Sequence, residues 1–213
     1  MLKVKQFVFN MFGVNTFVVS DPDTREAAVI DPGMFTSDEQ KEFDEYIESN
    51  SLKIVQLINT HMHLDHCFGD NYVRDKYGVK VSANVGDASL GADIGKQIRR
   101  FGGRGDMPGV TIDVKLREGD TIKIGSGELQ VIETPGHSKG GICLYCPQGK
   151  FLISGDTLFR GGIGRTDLEG GDQRELTESI RKKLFTLPDD TTVLPGHDRF
   201  TTIGDEKRSN PYV

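Results

Sequence analysis

Cysteine is scarce: Cys67, Cys143 and Cys146 are the only three in 213 residues. An odd, low count argues against a disulfide framework and suits a reducing cytosol, so the expected setting is cytoplasmic. Cys143 and Cys146 have C-x-x-C spacing but lie in a strand-like run, where residues three apart point to opposite faces. They are expected to be two plain strand thiols rather than a redox or metal pair. Long hydrophobic runs are missing as well. No segment reaches the length that spans a bilayer, and the N-terminus, Met-Leu-Lys-Val-Lys-Gln-Phe-Val-Phe, alternates instead of forming the apolar core of a signal peptide. No membrane partner is therefore expected. Dense basic clusters are also lacking. The net charge is -6, and the tightest groups of cations are Arg99, Arg100 and Arg104 among glycines and Arg181, Lys182 and Lys183 on an expected helix. These read as solvated spots on an acidic protein, and no nucleic-acid partner is expected.

What is present fits a soluble globular chain, with 36% hydrophobic and 27% charged residues. The length suffices for a core that needs no staples, and residues 1–213 are read as a single domain. Residues 4–9, 16–20 and 27–30 are β-rich runs separated by turn residues, which predicts an antiparallel meander. Residues 37–47 carry Phe43, Tyr46 and Ile47 at helical spacing, with Ser37 and Gln40 as the expected capping pair. Residues 54–58 read as a buried strand, and residues 70–77 as a helix stopped by Gly78.

Residues 83–109 differ in character: Gly86, Gly91, Gly95, Gly102, Gly103, Gly105 and Gly109 surround one expected helical piece near residues 92–101. This stretch reads as a lid-like insertion over the core. Strands are then expected at 111–116, 121–124, 129–133, 142–145 and 151–153, a helix at 173–185, and a last strand at 192–194. Strands in two blocks with accompanying helices and no strict β-α-β alternation predict an α+β protein of stacked sheets flanked by helices.

The chemistry is concentrated in five histidines. Three fall within His61-Met62-His63-Leu64-Asp65-His66; His137 closes Thr-Pro-Gly-His, His197 closes Leu-Pro-Gly-His, and Asp156 closes Ser-Gly-Asp. Each group follows a short apolar strand and a break, so four strand ends can converge on one edge of a sheet. Imidazole and carboxylate are ligands that borderline metals such as zinc prefer. Seven such groups are too many for one tetrahedral ion and suit two. A carboxylate can bridge two ions and an imidazole cannot, which leaves Asp156 or Asp65 as the bridge. No cysteine joins the set, which argues against a closed structural site.

At these residues the sequence resembles the metallo-β-lactamase superfamily, whose mark is H-x-H-x-D-H followed by single His, Asp and His positions after later strands. The resemblance covers essentially the whole chain and implies a four-layer αββα sandwich with the metals on one edge. It implies that His61, His63 and His137 hold one metal, that Asp65, His66 and His197 hold the second, and that Asp156 bridges them. Asp31 matches an acidic position behind the metal loop, which implies that it orients ligands; the plain alternative is a turn residue before Pro32-Gly33. Within the superfamily the chain is similar to short, single-domain glyoxalase II-like (hydroxyacylglutathione hydrolase-like) proteins. The similarity lies in residues 155–159, in Gly161-Gly162-Ile163-Gly164-Arg165-Thr166-Asp167, and in residues 201–206 with Asn210-Pro211. Full-length hydroxyacylglutathione hydrolases carry a further C-terminal helical domain, which this sequence, ending at Val213, lacks.

The implied activity is hydrolysis of a small-molecule thioester. Two zinc ions, or alternatively iron or manganese, would activate a bridging hydroxide, and Asp65 would be both ligand and nearest proton acceptor. Lys139 and Arg165 are candidates for an anionic substrate group, with ordinary surface charges as the alternative. A mononuclear iron persulfide dioxygenase is the rival from another class, since that branch resembles this chain around residues 164–167. Lactone or ester hydrolysis on the same site is a third reading. β-Lactamases of the superfamily generally lack an aspartate at the bridging position, and Asp156 is present.

Overall fold

Short apolar strands broken by turn residues dominate the first third of the chain, and they pair as their alternation dictates. The computed structural model describes residues 1–104 and 107–213; Gly105 of the glycine-rich stretch lies outside them. Strands β1 (Lys3–Phe9), β2 (Val14–Ser20) and β3 (Glu26–Ile30) form the antiparallel meander. Helix α1 (Ser37–Ser49) then returns the chain to β4 (Lys53–Ile58), parallel to β3. Helices α2 (Leu64–Cys67) and α3 (Asp70–Tyr77) lead to β5 (Val81–Ala83), parallel to β4. Gly78 stops α3 at φ 67, the left-handed conformation that favours glycine.

Residues 83–109 carry more helix than expected: a 3-10 turn at Val85–Asp87, then α4 (Ala88–Ala92) and α5 (Ile94–Arg100). The strand expected over 111–116 shrinks to β6 (Val114–Lys115), which closes the first sheet in the order β1-β2-β3-β4-β5-β6. The second half repeats the pattern with β7 (Thr121–Ile124), β8 (Gly127–Glu133), β9 (Ile142–Cys146) and β10 (Phe151–Gly155), all antiparallel neighbours. A small hairpin, β11 (Leu158–Phe159) and β12 (Gly162–Ile163), precedes α6 (Gln173–Lys182). The helix expected to reach residue 185 ends as a separate 3-10 turn at Leu184–Thr186. Strand β13 (Thr192–Pro195) then runs parallel to β10, and β14 (Thr201–Thr202) leads into α7 (Ile203–Ser209).

Three apolar clusters make four layers. Between the sheets, Phe17, Val19, Ala28, Ile30 and Ile58 meet Ile124, Leu129, Val131, Leu144 and Ile153. Alternate residues of the same strands, Val18, Ala27, Val29 and Leu57, pack outward on Phe43 and Ile47 of α1 and Val73 of α3. On the far side Cys143, Leu152 and Val193 pack on Leu176 and Ile180 of α6 and Ile203 of α7. This is the expected αββα sandwich, helices covering both outer faces of two stacked sheets. The thiols of β9 behave as strand residues: Cys143 faces α6, Cys146 faces the inter-sheet core, and both are free. Among the described residues no helix is long and apolar enough to cross a membrane.

Candidate metal centre

The strand directions bring several C-terminal ends to one edge. β3 and β4 are parallel, as are β10 and β13; β8, two antiparallel steps from β10, points the same way. Just beyond those ends stand Asp31, His61, His137, Asp156 and His197. The two sheets are tied there, since the Ile142 N–H donates to Thr60 O at 2.8 Å and the Asn15 N–H to Gly196 O at 2.7 Å.

One nitrogen each from His61, His63 and His137 lies within 4.8 Å of the others, and the same holds for the ligand atoms of Asp65, His66 and His197. Asp156 forms a third such group with His61 and His66 and sits between the first two. Its Oδ1 is 3.4 Å from His66 Nε2, and its Oδ2 is 3.6 Å from both His137 Nε2 and His197 Nε2. Asp65 Oδ2 is 3.2 Å from His197 Nε2 and 3.7 Å from His66 Nε2.

The outer ring nitrogens explain these orientations. His137 Nδ1 donates to Arg165 O at 2.7 Å, His197 Nδ1 to Phe12 O at 3.1 Å, and His66 Nδ1 to Asp31 Oδ2 at 3.0 Å. With the proton on Nδ1, the inner Nε2 of a neutral ring carries a bare lone pair. Yet His66 Nε2 and His197 Nε2 are 3.3 Å apart, and His137 Nε2 is 3.2 Å from His61 Nε2. Facing lone pairs at these distances repel unless a metal ion or a proton lies between them. Asp156 Oδ1 adds to this, being buried without a hydrogen-bond partner. The donor set therefore fits bound cations, with histidine and carboxylate as ligands on an edge that a cleft opens to solvent.

Burial, helped by neighbouring imidazoles, pushes His61 well down and His63 to about 3, so both rings are neutral donors. Burial alone would hold Asp156 protonated; the imidazoles of His66, His137 and His61 overcome it and bring its carboxyl well below the usual carboxylate range. Against the same burial, the carboxylates of Asp65, Asp156 and Asp31 raise His66. Metal binding requires neutral imidazoles and ionised carboxylates, the states favoured at His61, His63 and Asp156; at His66 a metal ion would take the place of the proton that the carboxylates favour.

Backbone demands at the edge are met by glycine. Gly155 turns at φ 49 against the Thr60 side chain. A Cβ on Gly196 would collide with Asp156 Oδ1. Asp31 adopts φ 50 and so is a turn residue, but its carboxylate also accepts the Thr60 N–H and Thr60 Oγ1, both at 2.7 Å, and holds His66.

Three polar side chains that carry no motif in the sequence hold the ligand loops. Gln97 of α5 accepts the Leu64 N–H at 3.0 Å and donates to Met62 O at 3.0 Å, gripping the backbone on both sides of His63. Buried Asp87 accepts from Ser138 Oγ and Gly140 N, each at 2.7 Å, and from Met62 N at 3.2 Å, joining the His61 and His137 loops. Asn15 donates to Pro195 O at 2.8 Å and Asp198 O at 3.1 Å, around His197. Their signal in the sequence is weak, since none belongs to a motif and Gln97 lies among the charged Lys96, Arg99 and Arg100.

A cleft of about 380 Å³ opens over the centre and is lined by Arg165, Phe12, Leu64, Phe101, Phe159 and Leu168 beside the ligands. Arg165 is paired with Asp167 through two hydrogen bonds of 2.7 Å. Lys139 does not line this cleft. Its flanks are fixed to Asp87, which turns its side chain to a separate cavity of about 70 Å³ with Gly170 and Gly86.

Stacked mixed sheets between helices, with seven histidine and aspartate donors on one edge, define an αββα metal-binding protein of the metallo-hydrolase type. The chain belongs to the metallo-β-lactamase superfamily, whose family model matches residues 10–197. It is 37% identical over 196 residues to hydroxyacylglutathione hydrolase GloC of Haemophilus influenzae, covering 90% of this chain and 89% of that protein. Among solved structures it is similar to BLEG-1 B3 metallo-β-lactamase, with 32% identity and a TM-score of 0.90, covering 100% of this chain and 99% of that one. It is also similar to TTHA1623 in a di-iron-bound form, with 31% identity and a TM-score of 0.86, covering 99% of this chain and 100% of that one.

Proposed function

We propose that the protein is a dinuclear, zinc-dependent thioesterase of small molecules acting on a hydroxyacylglutathione-like substrate. The observation that carries this reading is Asp156, whose two oxygens reach toward both three-ligand groups. His61, His63 and His137 would hold one ion, Asp65, His66 and His197 the other, with Asp156 shared. Ions bound there supply Lewis acidity, making water a nucleophile near neutral pH and stabilising negative charge on a carbonyl oxygen. The chain's own residues do the rest. Asp31, Arg165 O and Phe12 O fix the imidazoles through their outer nitrogens, so the ligand geometry is set before substrate arrives. Asp65, on the cleft wall, takes the proton of the attacking water on its carboxylate. A thiolate departs without a strong general acid, and His61 and His63, held as neutral ligands, do not act as acids. Arg165 stands on the cleft wall where an anionic substrate group can reach it.

The GloC likeness supports the thioester, and three free, buried cysteines support a reducing, cytoplasmic setting. Zinc rests on the nitrogen and oxygen donors, which iron and manganese also accept. The test is hydrolysis of S-lactoylglutathione by the zinc-loaded protein, beside a lactone, a β-lactam and a glutathione persulfide. Thioester cleavage that dominates the panel is the expected result. Oxygen consumption on the persulfide by protein loaded instead with iron, one ion per chain, would replace this reading by a dioxygenase.

A further inference from the structure

Beside the cleft lies a second cavity of about 300 Å³, walled by apolar side chains from three separated parts of the chain. Met11 and Phe12 come from the β1–β2 turn, Phe35 and Phe68 from the segments around α1 and α2, and Ile98, Phe101 and Met107 from the 83–109 stretch. Among the described lining residues Arg104 is the only charged one. The aromatic rings touch, Phe35 on Phe68 at 4.8 Å and Phe12 on Phe101 at 6.2 Å between centroids. Met11 is 71% exposed, and Phe12, Phe35 and Phe101 are each more than 40% exposed. Water therefore wets a cluster of large apolar groups that would gain by being covered.

The cavity borders the metal cleft: Phe12, Leu64 and Phe101 line both. Two of these belong to the centre's own scaffold. Leu64 stands between His63 and Asp65 in the chain, and the Phe12 carbonyl accepts from His197 Nδ1. A group bound in the apolar cavity thus lies against the same three side chains as one at the metal edge. We propose that this cavity is the acyl subsite, and that the enzyme's substrates carry an apolar acyl group of about six to eight carbons or an aryl ring. The size follows from a known scale: an apolar void of about 150 Å³ holds benzene, and this cavity has twice that volume. The acyl half is assigned here because the thiol half of a glutathione-like thioester is polar and suits the Arg165 side of the cleft. On this basis Ile98, Phe101 and Met107 form one wall of the specificity pocket.

The inference rests on the thioesterase reading, and the experiment separates the two. In the metal-loaded protein, kcat/KM is measured for acetyl, butanoyl, hexanoyl and octanoyl thioesters of glutathione. In parallel, calorimetry measures binding of S-methyl- and S-octylglutathione, thioethers that cannot be hydrolysed. The expected rise is roughly threefold per added methylene until the cavity fills, with S-octyl binding at least about tenfold tighter than S-methyl. Met11→Ser and Phe35→Ser, which line this cavity and not the metal cleft, should each flatten the chain-length series and the thioether difference several-fold. Thioesters hydrolysed with no chain-length preference overturn the subsite and leave the thioesterase reading intact. Chain-length-dependent thioether binding without thioester hydrolysis upholds an apolar subsite in this cavity but overturns its acyl role together with the thioesterase reading. A preference that survives in both variants overturns the location.

Discussion

Asp31 sits at φ 50 with its carboxylate shared among Thr60 N, Thr60 Oγ1 and His66 Nδ1. A non-glycine residue in the left-handed region persists where its surroundings over-determine it. Asp31→Asn keeps the shape but puts an amide where the charged acceptor stood, so His66 is less firmly oriented. The expected result is a loss of about 10- to 100-fold in metal affinity, measured by competition with a chelator; unchanged affinity would show that the carboxylate only shapes the turn. The ligand-type residues were legible because the spacing of His61, His63, Asp65 and His66 crowds donors into one loop, and matching breaks precede His137, Asp156 and His197. Asp87, Asn15 and Gln97 were not legible, since their roles depend on which distant backbone each one meets. Lys139 illustrates the converse: nearness in sequence to His137 put it in the candidate set, while the grip of Asp87 on Ser138 and Gly140 turns it to another cavity.

Elements show the same competition between local and tertiary forces. α1 is capped by Thr36 with Glu39, not by Ser37 with Gln40 as the pattern suggested. Both pairs have the right spacing; Glu39 prevails because its carboxylate also accepts the Asn10 and Phe35 N–H groups. α5 holds the ligand loop through Gln97, so Gln97→Ala leaves the Leu64 N–H and Met62 O without these partners. A loss of about 2–3 kcal/mol is expected in urea unfolding, and a loss below about 0.5 kcal/mol would contradict the clamp.

α1 and α3 are joined by Asp44, which accepts from Tyr77 Oη at 2.6 Å and also from Tyr72 and Lys76. Burial would raise Asp44, but Lys76, Tyr72 and Tyr77 outweigh it, and its carboxyl lies below the ordinary 3.8. A depressed carboxyl stabilises the fold above its unfolded value, and that contribution disappears as the pH falls through the folded one. Asp44→Asn should therefore cost about 2 kcal/mol at pH 7, and the gap from the parent should close below pH 3.8. A gap that stays constant down to the acid limit would contradict this linkage.

For the whole molecule, the strand-end logic was legible and the topology was not. Four apolar runs ending in ligand-type residues foretold a common edge, but the parallel pairings of β3 with β4 and of β10 with β13 depend on crossovers that periodicity does not encode. The centre lies where the two sheets are stitched, so bound metal and the native sandwich stabilise each other. Removing metal with a chelator should lower the melting temperature, and restoring it should reverse the change. The central claim is that two ions share Asp156 between the groups of His61, His63 and His137 and of Asp65, His66 and His197. Its most direct test is metal stoichiometry by mass spectrometry on the purified parent and on Asp156→Ala. Two equivalents per parent chain and loss of both in the variant are predicted; a single equivalent in the parent, or full metal content in Asp156→Ala, would contradict it.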